Sequence, residues 1–112
     1  MVSVDGVSDE VAGTHRALGD PTRLEMCWLL AEKERSVTDL VAELGISQPL
    51  ASHHLRILKE AGLAEGRRDS YWTRYRLLPG HLELLKDELE MLLASVSHRE
   101  RAGKQGERKG RK

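Results

Sequence analysis

The chain has 112 residues, of which 39% are hydrophobic, 32% charged and none phenylalanine, so one modest core must be built from Leu, Val, Ile and Ala. No apolar run approaches the roughly 20 residues of a membrane span, the N-terminus lacks a signal-peptide pattern, and the single cysteine, Cys27, rules out an internal disulfide. The formal net charge is zero, which read alone argues against nucleic acid; together these features predict a cytoplasmic protein with no membrane partner.

Val4, Val7, Val11 and Leu18 keep a three-four rhythm that predicts a first helix over about 7–18. Asp20-Pro21 marks the next boundary, since Asp caps a helix and Pro suits its first turn. The second helix, about 21–33, is expected to face the core with Leu24, Cys27, Trp28 and Ala31. Ser36 opens a third helix, with Asp39 placed to reach back as in a capping box and Val37, Leu40, Val41 and Leu44 as its apolar stripe. Gly45 then permits a sharp left-handed turn.

The fourth helix is predicted over about 47–61, capped by Ser47, with Pro49 in its first turn and Gly62 as its stop. Ala51, Leu55 and Leu58 fall on its inner face; Pro49, Ser52, His53 and Arg56 form the opposite stripe, with Gln48 at the tip. From Leu63 the period changes to two, predicting a two-stranded ribbon whose charged turn lies around Arg67–Ser70. Pro79-Gly80 ends it. A last helix over about 81–97 carries Leu82, Leu85, Leu89, Leu92 and Val96 in a 3-4-3-4 seam suited to a partner helix. Residues 99–112 hold seven Lys/Arg against two Glu, a basic tail expected to stay disordered because it has too little to bury. The expected organisation is one domain over 1–98 and that tail.

The order α-α-α-α-β-β-α, mainly α with a small β-hairpin, is that of a winged helix-turn-helix. The charge is also unevenly spread: residues 47–76 hold six Arg/Lys against three Asp/Glu. Local potential over roughly a Debye length, about 8–10 Å, governs DNA binding more than the whole-chain sum. Gln48, Ser52, His53 and Arg56 are the candidates for base edges, with Pro49 beside them; Ser47 and its helix N-terminus suit a phosphate. Lys59, Arg67, Arg68 and Arg74 would add salt-sensitive attraction to the backbone. The bland alternative is a solvated helix face and an ordinary surface hairpin. His53 and His54 point about 100° apart, so both cannot easily hold one ion; His53 reads as a DNA contact and His54 as a packed or capping residue.

The segment Ala17–Leu77 resembles the ArsR/SmtB family of bacterial winged-helix repressors. The marks are Leu18-x-Asp20-Pro21-x-Arg23, Asp39-Leu40, Ser47-Gln48-Pro49, Ser52-His53-His54-Leu55, Leu58-x-x-Ala61-Gly62-Leu63 and an arginine-rich wing closing on Tyr75-x-Leu77. The resemblance implies a homodimer joined through the first and last helices, with Val7, Val11, Leu82, Leu85, Leu89, Leu92 and Val96 at the interface. It also implies a repressor of operator DNA that an effector releases. Some members bind metal through Cys-x-Cys-Asp at the third helix; Ser36, Thr38 and Asp39 stand there, without thiolates. Others use ligands on the last helix, where this chain has Pro79, His81, Leu92 and Ser95. Neither set closes a zinc site, and no cofactor is expected.

Three other effector readings stay open from the residues: a thiol switch at Cys27, a metal held between His15, His81 and His98 across a dimer, and a small-molecule pocket lined by Trp28 and Trp72. A further function class is a protein-interaction module in which the leucine seam docks a different protein. No nucleophile–base pair, glycine-rich phosphate loop or metal-ligand spacing speaks for an enzyme.

Overall fold

A computed structural model describes residues 9–107. Four helices, α1 (Asp9–Leu18), α2 (Pro21–Glu32), α3 (Val37–Leu44) and α4 (Gln48–Glu60), lead into a hairpin of β1 (Ala64–Asp69) and β2 (Trp72–Leu77) and a long α5 (Gly80–Glu107). The architecture is the winged helix-turn-helix expected from the sequence. Val7, one of the expected interface residues, lies outside the described residues.

The helix ends follow from their capping chemistry. Asp20 accepts a hydrogen bond from the Arg23 amide at 3.0 Å, with Pro21 in the first turn of α2. Ser36 and Asp39 satisfy each other's amides at 3.1 and 3.0 Å, the reciprocal box expected from their spacing. Ser47 accepts from the Leu50 amide at 3.2 Å to open α4. Gly45 (φ 67°) stops α3 in the left-handed region, and Gly62 (φ 76°) does so beyond α4, where the Leu63 amide bonds back to the Leu58 carbonyl at 2.9 Å.

The core gathers Ala17, Met26, Cys27, Leu30, Leu40, Ala51, Leu55, Leu58, Leu63 and Ala64 from the helix-turn-helix and the root of the hairpin. The expected inner face of α4 is buried, but that of α2 is rotated: Met26, Cys27 and Leu30 point inward, while Leu24, Ala31 and Trp28, the last 71% exposed, point out. Almost every position from Leu24 to Ala31 is apolar, so the periodicity offers two competing stripes that share Cys27.

The hairpin is antiparallel with Ala64 opposite Leu77 and Asp69 opposite Trp72, so only Ser70 and Tyr71 turn. The expected turn at Arg67–Ser70 is therefore corrected: Arg67 and Arg68 are paired strand residues, and the positive φ of Ser70 (61°) supplies the reversal. A single bridge between Arg35 and Tyr75 adds a third strand stub beside β2.

Two corrections fall on α5. It continues to Glu107, ten residues past its expected end at 97, so residues 99–107 of the expected disordered tail are helical; the rest of the tail lies outside the described residues. Its leucine seam is also divided. Leu85 is buried within the protomer and Leu82 packs on the core, whereas Leu89, Leu92 and Val96 are exposed, along with Leu84, Met91 and Leu93. Among the described residues no helix is long and apolar enough to cross a membrane.

Candidate nucleic-acid interface

α4 presents Gln48, Pro49, Ser52, His53, Arg56 and Lys59 on one exposed side, spread over about 140° of the helix circumference, opposite the buried Ala51, His54, Leu55 and Leu58. Ser47 is exposed at the tip, its hydroxyl engaged as the cap. Within the row, Arg56 Nη2 and His53 Nδ1 lie 3.1 Å apart, so the two side chains project as a linked pair. Lys59 is drawn toward the wing, its Nζ 5.8 Å from the centre of the Tyr75 ring.

The wing is less freely basic than its sequence reads. Arg67 pairs with Glu34 at 2.9 Å, Arg74 with Asp69 at 3.4 Å, and Arg76 with Glu65 at 2.8 Å. Arg68 is exposed and, among the described residues, has no acidic partner. It stands next to the tip, where Tyr71 is 93% exposed. To meet an anion, three wing arginines would have to give up an existing, solvent-weakened pair, whereas Arg68 would give up none among the described residues.

Sequence reasoning missed the residue that fixes the wing's root. The Arg35 side chain is buried; it donates from Nε to the Leu29 carbonyl at 3.0 Å and from Nη2 to Glu32 at 2.7 Å, and Nη1 lies 3.6 Å from Glu43. Its backbone bonds both ways with Tyr75, at 3.1 and 2.8 Å. One residue therefore joins the end of α2, α3 and β2. A lone arginine before a capping serine carries no pattern that reveals this.

The expected alternative of a thiol switch meets a physical obstacle. Cys27 is 6% exposed, and burial pushes its thiol up to about 11, which suppresses the reactive thiolate. His54 is likewise interior, as expected for a packed histidine. His15 lies 3.7 Å from Glu88 and His81 3.8 Å from Glu10; among the described residues no three His, Cys, Asp or Glu side chains converge as metal ligands. Trp28 and Trp72, the aromatics of the expected small-molecule pocket, are both exposed; a cavity of about 240 Å³ lies between Asp9, Lys59, Gly62 and His81.

Comparison with known proteins gives these features a context. The profile described as "Bacterial regulatory protein, arsR family" matches residues 20–65, from the cap of α2 into β1. The chain is 45% identical over 83 residues to the HTH-type transcriptional repressor SmtB of Mycobacterium tuberculosis, a match covering 74% of this chain and 57% of that longer protein. An ArsR-like transcriptional regulator from Rhodococcus sp. RHA1 superposes with a TM-score of 0.77 at 32% identity, covering 86% of this chain and 91% of that one. The homodimeric winged helix-turn-helix DNA-binding domain Mb0332 from Mycobacterium bovis does so with a TM-score of 0.60 at 30% identity, covering 93% and 88%.

Proposed function

Because the chain belongs to the arsR family of bacterial regulatory proteins, we propose that it is a homodimeric repressor that reads operator DNA with α4 and its wing. The observation that carries this reading is the row from Gln48 to Lys59: small polar and basic side chains, exposed together on a helix whose opposite side is locked in the core. Gln48, Ser52, His53 and Arg56 are assigned to base edges, and Ser47, Lys59 and Arg68 to phosphates. The exposed apolar part of α5, with Val11 on α1, is assigned to the second copy. The effector site of metal-sensing relatives is not retained at α3, where the Ser36 hydroxyl serves the helix cap.

Selection of bound duplexes from a random library with the full chain tests the proposal. Enrichment of an inverted repeat is expected, with half-sites about one helical turn apart. Simultaneous replacement of Gln48, Ser52, His53 and Arg56 by alanine should abolish that enrichment. Recovery of unenriched sequence, or of the same repeat by the quadruple variant, would remove α4 as the reading element.

A further inference from the structure

His54 is the one buried histidine among the described residues, 8% exposed on the inner side of α4. Its Nδ1 lies 3.2 Å from Nη1 of Arg23. A guanidinium has only donors, so Nδ1 must offer its lone pair and the ring must be neutral, with its proton on Nε2. The same guanidinium donates from Nε to the Ala17 carbonyl at 2.8 Å and from Nη2 to the Arg16 carbonyl at 3.3 Å. Those carbonyls close the C-terminal end of α1, where a cation is favoured. One side chain thus bolts together the end of α1, the start of α2 and the inner side of the reading helix. α1 also packs against α5.

We propose that Arg23 and His54 are positioning residues, a strut that sets the reading helix against α1 and α2 and holds only while the His54 ring is uncharged, so that acidification releases DNA. This rests on the DNA-reading role of α4 and adds a mode of regulation to it. A protonated ring would turn an N–H toward the guanidinium, leaving two cations at hydrogen-bond range with no acceptor between them. Burial holds the His54 pKa below the ordinary imidazole value; Arg23 and the adjacent His53 act in the same direction, and the Asp20 carboxylate opposes them. The Asp20 carboxylate itself stays ionised, held down chiefly by the Arg23 amide.

The sign of the effect is diagnostic. DNA-bound protein keeps His54 neutral and so binds fewer protons than free protein whose ring can charge; affinity must fall as pH drops through the lowered pKa that the ring has in the free protein. Exposed His53 works the other way, since its charge would add attraction to phosphate.

Binding of the full chain to its selected duplex at pH 7.5 and at the midpoint of the His54 titration, at fixed ionic strength, tests this, together with the NMR titration of the histidine rings in the free protein that locates the midpoint. Wild-type affinity is expected to weaken by about twofold or more per protomer at the lower pH. His54→Gln, which keeps an acceptor but cannot titrate, should weaken by less than about twofold or strengthen. The His54 ring should titrate below the ordinary imidazole value. Unchanged or tighter wild-type binding at that midpoint, equal weakening in His54→Gln, or a His54 ring titrating at or above the ordinary imidazole value would each overturn the strut. Should His54→Gln not fold, the ring titration decides. Should no duplex be selected, the DNA reading fails separately; the strut is then judged by the ring titration and by α4 amide protection, corrected for the intrinsic exchange rate, which must fall at the lower pH.

Discussion

Gly62 and Gly45 have nearly the same left-handed backbone, yet they stand in different surroundings. A Cβ on Gly45 would face open space, whereas one on Gly62 would meet the His81 ring at 2.5 Å. Gly45→Ala is therefore expected to cost about 1 kcal/mol, the backbone penalty alone. Gly62→Ala should cost at least ~2 kcal/mol, because the ring must also move. Adding His81→Ala to Gly62→Ala should recover the difference in urea denaturation; equal costs for the two glycine variants would show that the ring yields freely. The sequence tells a reader that both glycines stop helices, because the apolar period ends there. It does not reveal the His81 contact or the Arg23–His54 pair, each of which joins residues of separate segments with no shared periodicity. For the same reason the α4 row was readable, as it depends on one helix alone, while the outward rotation of Trp28 was not.

The wing illustrates what pattern can and cannot specify in a whole element. Alternation from Tyr71 to Leu78 marks the ribbon, and the inward positions Tyr75 and Leu77 do pack on the core. Which arginines remain available depends on Glu34, contributed by the α2–α3 turn, and on strand register, which alternation leaves free by two residues. With Glu65 and Asp69 on the same face as Arg67, Arg74 and Arg76, the ribbon carries its own counter-charges. On the selected duplex, Arg68→Ala is expected to lower affinity and to reduce the slope of log affinity against log salt by about 0.9. Arg76→Ala should move that slope much less, because Glu65 already screens the guanidinium. Equal slopes for the two variants would deny the wing tip its phosphate.

As a whole, the protomer measures 64 × 31 × 20 Å with a radius of gyration of 19.0 Å, well above the roughly 13 Å of a compact 100-residue domain. The excess comes from α5, whose 28 residues span about 42 Å. From Leu89 to Gly103 this helix is almost wholly exposed and still carries Leu89, Leu92 and Val96, a surface that one copy leaves uncovered. Replacing Leu89 and Leu92 together by glutamate should give a monomer in sedimentation and weaken duplex binding by at least about tenfold through loss of the linked second head. A dimer that persists would move the interface elsewhere. The helix itself was legible; its far end was not, because Ala, Glu, Arg, Lys and Gln after His98 have nothing to bury yet are good helix formers. The shielding of Cys27 has a practical corollary. With the sole sulfhydryl of the chain walled into its interior, a cysteine installed in place of Tyr71 would be the preferred target of a maleimide dye. The native thiol could stay in place, and the tip of the hairpin would carry a fluorescent reporter of docking.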